Sequence, residues 1–547
     1  MKDTNVRAPW HRLLALLLGL VLVAAACGSD SDDGASEGDG DGAEETTTTT
    51  EEPARQPKKG GEITFGVESQ VSSLMPGVAA QPADMVIALG IYDPIMIYED
   101  GQVVPHLAES LESNDTLDVW ELTLRDGITF HDGTPLNAEA VVKHFQRLQD
   151  PATACPCADT VSTIQSMEMP DGPEGLKVTF TLANPNVAFD NMLAGSSAFI
   201  PSPTSLEQLG DAFANQPVGT GPFKLAEFRA GERVVLEANE NYWKTDENGI
   251  QLPYLDKITF LPIHQGSQRV TALQSGQIDI FQTAASDTIA QAEEMGFAAQ
   301  KISGSSSTIV LFNTSKPPFD DVRARQAFAY AINKDVINDR VYDGVRVPSY
   351  SGFATDSPYF NPDAQTPEYD PEKAKALVEE VGGMKFTLSC INSEESNDIL
   401  RISEQMLEAV GMEVELEMQE QGTYVQRIFS KGGDYEAACF RSSHFIEPDA
   451  IRPGLTTGDA GNLTFYSNPE VDQLLDEARQ TSDFETRKDL YFRVQEITTE
   501  EIPVFTFLYD LFGNVYNDEV VGPPPPGQPN SLGLIQVGLL YRVDGEG

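Results

Sequence analysis

Residues 385–440 switch back and forth between two hydrophobic periods. "KFTLSCI" reads as a strand, "NDILRISEQMLEAVG" as an amphipathic helix closed by Gly411, and "EVELEMQE" as a second strand. "TYVQRIFSKGG" then reads as a helix and "YEAACF" as a third strand. Strands alternating with helices at this spacing call for a parallel sheet with right-handed crossovers, an α/β fold. Cys390 and Cys439 fall on the first and third of these strands, which are neighbours in a 2-1-3 order. They are close enough to touch, as thiols or as a disulfide, and buried thiols are the expectation. Cys155 and Cys157 are then left with each other in a small, strained ring. Their "CPC" is no zinc site by itself, because a second ligand pair and a nearby histidine are missing.

The first 59 residues stand apart from that fold. Lys2, Arg7 and Arg12 precede the apolar run "LLALLLGLVLVAAAC", which is too short to span a bilayer and ends in small residues and Cys27. An Ala-Ala-Ala-Cys junction followed by "GSD" resembles a lipobox, so residues 1–26 are read as a signal peptide and Cys27 as the site of lipidation. Ordinary secretion with an incidental cysteine is the alternative. Residues 28–59 contain no Val, Ile, Leu or aromatic residue, so nothing there offsets the entropy of ordering. Residues 27–59 are therefore read as a lipidated cysteine and an acidic tether, reaching about 30 Å root-mean-square. Later in the chain no apolar run approaches the ~18 residues of a membrane span.

Net charge is −49. Residues 1–59 hold eleven acids against six bases, which leaves 74 acids against 30 bases in the body. A surface of that sign repels phosphate backbones, so no nucleic-acid partner is expected.

The stretch "LRDGITFHDGTPL" (124–136) gathers Arg125, Asp126, His131 and Asp132, and would be the natural place to look for catalysis. The pattern argues for scaffold. Trp120, Leu122 and Leu124 alternate, Asp126-Gly127 is a turn signal, and Ile128 and Phe130 resume the alternation, which predicts a hairpin. His131 and Asp132 are consecutive at a strand end and point to opposite sides. Asn137 then caps a helix carrying Val141, Val142, Phe145 and Leu148. Other helix starts are predicted at Asp320 or Asp321, at Asn468-Pro469, and at a Ser482/Glu485 capping box. Pro523–Pro526 reads as polyproline II.

Eight segments in register resemble the family 5 extracellular solute-binding proteins, the peptide- and nickel-type receptors of ABC importers. They are "VVPHLAES", "WELTLRDGITFHDGTPLNAEAVV", "PVGTGPF", "LPYLDKITF", "ALQSGQIDI", "FNTSKPPFDDVRARQAFAYAIN", "YDPEKAKAL" and "YSNPEVDQLLDEAR", spread over residues 60 to about 510. The resemblance implies a two-lobed, periplasmic-binding-protein-like fold of type II with an inserted subdomain. Lobe I would comprise residues 60–90, 217–307 and 510–547, the insert 91–216, and lobe II 308–509. A ligand would lie in the cleft between the lobes, closed about a hinge near Phe312-Asn313 and Tyr509-Asp510.

The function implied is capture of a solute, by default a peptide, outside the cell and its delivery to a membrane permease and ATPase. The protein would be a monomer held to the outer face of the membrane by lipid alone, without cofactor or metal. Ser69, Gln70, Gln282 and Thr283 are the expected ligand contacts on lobe I. On lobe II they are Phe353, Arg441, Ser442, Ser443, His444, Phe445 and Glu447. Many peptide-binding relatives carry Gly-Trp and then an aspartate for the peptide's α-amino group after the third strand. Here "RSSHFIEPDAIRPGL" places Arg441-Ser442 and His444-Phe445 there, a set suited to a neutral or anionic group. An oligosaccharide, a metal chelate or another small organic ligand is the alternative, with Phe353, Phe445 and Tyr466 as sugar platforms. Nickel alone fits poorly, because His106, His131, His144, His264 and His444 are dispersed. An enzyme is not expected: no G-x-S-x-G or H-E-x-x-H signature occurs, which leaves a secreted hydrolase as the remote alternative.

Overall fold

The computed structural model describes residues 57–543 apart from 72, 79–80, 100–101, 154, 156, 354, 356, 429–432, 444–446 and 525–534. The signal segment, Cys27, the tether up to residue 56, Pro525 and Pro526 lie outside the described residues. Among the described residues no helix is long and apolar enough to cross a membrane.

The first strand is β1 (Glu62–Val67). β2 (Met96–Glu99) and β3 (Gln102–Pro105) form a two-stranded ribbon. β4 (Ala108–Ser113), β5 (Val119–Leu124), β6 (Ile164–Glu168) and β7 (Lys177–Leu182) make a separate sheet in the order β4-β5-β7-β6. The remaining strands are β8 (Phe223–Arg229), β9 (Arg233–Ala238), β10 (Lys257–Pro262), β11 (Ile280–Thr283) and β12 (Ala298–Phe312). β13 (Val347–Pro348), β14 (Met384–Ile391), β15 (Met412–Gln419), β16 (Ala437–Ser443) and β17 (Val504–Tyr516) complete them. They join β1 in one sheet, β15-β14-β16-β12-β17-β11-β1-β10-β9-β8, with β13 also on β17.

This sheet runs through two lobes. The start of β12 and the end of β17 pair with each other beside β11, while the end of β12 and the start of β17 pair beside β16 and β13. The β12–β17 register breaks between Ser303 and Ser307, and again before Ile309. A broken ladder is where paired strands bend most readily. At Phe312-Asn313, where a hinge is expected, the residues are held by packing and hydrogen bonds. Phe312 stacks on Phe319 at 4.5 Å within the lobe II core, and buried Asn313 donates to Gly433 O and Tyr435 O at 3.1 and 3.0 Å. Both residues are locked in place.

The 2-1-3 order appears as β15-β14-β16, parallel throughout. Pairing Leu388 with Ala437 and Ser389 with Ala438 brings Cys390 beside Cys439, Cα to Cα 5.0 Å, and the two form a disulfide rather than the expected free thiols. That separation lies within the disulfide range, and an exported protein meets an oxidising compartment. Cys155 and Cys157 are joined to each other.

The predicted hairpin is corrected. The Asp126-Gly127 turn exists, with Gly127 at φ +80°. Residues 128–130 do not fold back on β5, because β4 and β7 already occupy both of its edges. They meet residues 134–136 instead, through Phe130 N–H to Thr134 O and Leu136 N–H to Ile128 O. Alternation fixes which face is buried; it does not name the partner strand. Asn137 caps the helix Ala138–Gln149, Asp321 caps Val322–Ala331, and Asn468 caps Pro469–Arg479. The cap of Phe484–Glu501 is Asp483, which accepts from Thr486 N–H, not Ser482.

Candidate ligand-binding site

His131 and Asp132 diverge as the sequence requires. His131 Nε2 donates to Gly221 O at 3.0 Å, and burial holds its pKa down to about 4. Asp132 accepts from Ser202, Ser205 and Thr134. The stretch ties the insert to the 217–222 segment and forms no reactive cluster.

A second His–Asp pair also serves as a clamp. Buried Asp93 accepts from His106 Nε2 (2.9 Å), Tyr242 (2.8 Å), Trp243 (3.0 Å) and Thr220 (3.2 Å). Burial alone would raise its pKa, and the hydrogen bonds from His106, Trp243 and Tyr242 outweigh it. The adjoining void measures about 40 Å³, which leaves no room for a substrate.

On lobe I, parallel strands β1 and β11 end side by side, the edge of an α/β sheet where ligands commonly sit. Glu68 follows β1 and accepts from Arg269 Nη2 (3.0 Å), Thr283 Oγ1 (2.7 Å) and Ala284 N–H (3.0 Å). Two of the expected contacts are thereby corrected. Thr283 is fully buried between Arg269 and Glu68, and Gln282 is buried as well, since all four residues of β11 lie inside the sheet. Ser69 is half-buried and Gln70 exposed, so they still present surface.

Lobe II carries a cavity of about 430 Å³. Alternation builds its wall. On β12, Val310 and Phe312 face the lobe core while Ile309 and Leu311 face the cavity. Phe440 and Ser442 of β16 and Val504 and Thr506 of β17 continue the same wall, roofed by Phe353, Ile451, Leu455 and Leu463. Ser351, Thr366, Thr464, Thr498 and Thr499 are spaced around it. An apolar void with a few placed polar groups has the make-up of a small-ligand pocket, and its volume lies in their usual range of ~300–1,000 Å³.

Phe353, Arg441 and Ser442 are brought together in this lining. Arg441 stands on β16, not on a loop as expected. Glu447 is corrected too: both its oxygens are engaged by buried Arg487, and it caps the short helical turn Pro448–Ile451 through Asp449 N–H, so it is scaffold. Tyr466 is buried with its hydroxyl on Glu501, which makes it no sugar platform. His444 and Phe445 lie outside the described residues, as does the side chain of Ser443. Among the described residues no group of three or more His, Cys, Asp or Glu could hold a metal ion.

Where the cavity meets the lobe crossing stands Asp510, fully buried in the middle of β17. It accepts from Arg346 Nη1 (2.7 Å) and Ser306 Oγ (2.6 Å) and pairs with Arg441 Nε (2.9 Å). Arg346 also reaches Ser286 Oγ at 3.2 Å and Glu395 at 3.2 Å. One carboxylate thus links both crossing strands, β16 and lobe I. Farther out, Val187 N–H of the insert donates to Arg479 O of lobe II at 2.9 Å. Beside that contact, burial and then the charge of Glu447 push Asp190 up to about 6.

Residues 102–460 match the family described as bacterial extracellular solute-binding proteins, family 5. The chain belongs to this family. Among curated family 5 relatives, the glutathione-binding protein GsiB of Pectobacterium atrosepticum is 29% identical over 458 residues, 81% of this chain and 87% of that one. GsiB of Escherichia coli strain K12 is 26% identical over 476 residues, 84% and 91% of the two chains. In structure, the chain is similar to the ABC transporter substrate-binding protein CtaP of Listeria monocytogenes (TM-score 0.77, 24% identity, 89% of this chain and 100% of that one). It is also similar to the oligopeptide-binding protein AppA of Bacillus subtilis solved with a nonapeptide (TM-score 0.74, 22% identity, 89% and 100%). The two-lobed α/β fold read from the sequence is thereby shown. Sequence reasoning named Asp510 only as a point where the chain crosses between lobes, and missed the β12 and β17 lining residues of this family 5 protein. An aspartate inside the apolar run "VFTFLYDLFGNVY" was the available signal.

Proposed function

We propose that this chain is the capture component of an ABC importer, taking a peptide outside the cell and handing it to a permease and ATPase. The observation that carries this reading is the lobe II cavity at the crossing of β12 and β17, where bending of the broken register would close lobe I and the insert over a ligand. Relatives named for binding glutathione, and a similar fold solved with a nonapeptide, support the peptide class. A similar fold solved with agropinic acid supports the alternative of a small organic solute. The hinge is placed at Ser303–Ser307 and Tyr509–Leu511, with lobe II between those two crossings and the insert carried on lobe I. Ser69, Gln70, Phe353, Arg441 and Ser442 are the contacts retained, and no covalent chemistry is assigned to the chain.

Mass spectrometry of gently isolated protein is expected to find a peptide-class solute, and titration with it should raise the melting temperature. A bound solute of another class, with no response to peptides, would replace the peptide reading. Lipidation of Cys27 belongs to the same proposal: the tether keeps the body close to a membrane-embedded permease. Cys27→Ser is expected to move the protein from the membrane fraction to the soluble one, and continued membrane retention would remove the anchor.

A further inference from the structure

We propose that the lobe II cavity receives the C-terminal end of the peptide, an apolar side chain in the void and the free α-carboxylate on Arg441; this rests on the peptide reading above. The charge of the lining is the first argument. The chain holds 85 acids and 36 Lys or Arg, so an ionisable residue placed without selection would more often be an acid. Yet among the described lining residues the one ionisable group is Arg441. A peptide's ammonium end would find no counter-charge among the described lining residues. A carboxylate would find a guanidinium.

The second argument is how Arg441 is held. Its Nε is engaged by Asp510, which fixes the stem. The two terminal amino groups carry four more N–H donors in the planar fork that matches a carboxylate. Asp510 also serves Arg346, which Glu395 balances in turn, so what Arg441 offers a carboxylate is its fork of donors rather than a surplus of charge. The Arg441 side chain is 51% exposed, so its head is reachable, whereas Arg346 at 3% is not. Asp510 is then a positioning residue and Arg441 the contact. The apolar walls of Ile309, Leu311, Phe353 and Phe440 suit a leucine- or phenylalanine-like side chain beside that carboxylate.

The test is calorimetric titration of the purified protein with Ala-Ala-Phe as free acid, as C-terminal amide and as N-acetylated free acid. 3-Phenylpropionate and its amide serve as non-peptide probes. The free acid is expected to bind at least roughly tenfold more tightly than the amide, as a charge-assisted fork contact allows, with N-acetylation costing less than about threefold. Arg441→Gln should bring acid and amide within about threefold, and Arg441→Lys should keep part of the preference, with melting curves confirming that each variant folds. Peptide binding with equal affinity for acid and amide, or loss of binding on acetylation, overturns the inference and leaves the peptide reading standing. Arg441-dependent binding of phenylpropionate without any peptide binding overturns the peptide reading, and with it the assignment of a peptide end to the cavity. No binding by either class of probe overturns both.

Discussion

Asp510→Ala is expected to cost about 3 kcal/mol of stability. Breaking a buried ion pair by removing one partner costs about 3–5 kcal/mol, because the remaining charge stays buried without compensation. Here the residue removed is fully buried and so is Arg346, which sets the scale. Two features hold the loss to the low end. Glu395 still reaches Arg346 at 3.2 Å, and half-exposed Arg441 can turn toward water. Ser306 loses its acceptor as well, and with it the side-chain tie between the crossing strands. Urea denaturation of the single variant should show the loss, and the double variant Asp510→Ala/Arg346→Met should recover part of it, since an apolar replacement removes the stranded charge. A loss below about 1 kcal/mol would mean that the network contributes little to holding the crossing together.

Gly221→Ala is expected to cost about 3 kcal/mol for a steric reason. A Cβ at Gly221 would stand 2.5 Å from Ile91 C and 2.7 Å from Tyr92 N, and backbone cannot rotate out of the way as a side chain can. Overpacking typically costs about 1–3 kcal/mol, and the upper end applies because separating the two segments also strains Gly221 N–H to Ile91 O (2.9 Å) and the contacts of His131 and Asn239 with Gly221 O. Gly127→Ala is the control. Nothing lies within 4 Å of its Cβ, so only the left-handed backbone at φ +80° is penalised, by about 1–2 kcal/mol. Equal losses in the two variants would show that close packing of 217–222 on residues 91–92 is not what the "GTG" glycines serve.

These two residues also mark the limits of what the sequence could reveal. Nothing around "GTG" names the backbone it meets, because Ile91 is 130 residues away and the clash exists only once the chain is folded. The Glu447 reading failed for the same reason. Its place in "RSSHFIEPDAIRPGL" suggested a ligand contact, while its partner Arg487 lies on another helix and takes both oxygens. The divergence of His131 and Asp132 was legible, because strand alternation alone sends consecutive residues to opposite sides.

The sequence by itself determined whatever depends on neighbours a few residues apart: the strand–helix alternation of 385–440, the caps at Asn137, Asp321 and Asn468, and the turn at Gly127. Only the tertiary structure decided that β16, β12 and β17 lie side by side, so that Ile309, Phe440 and Thr506 line one wall and Asp510 gathers Ser306, Arg346 and Arg441. Backbone periodicity is written into each segment by the covalent chain. A cavity and a shared buried charge exist only where segments far apart in sequence are packed together, and there burial, not local propensity, sets the energy.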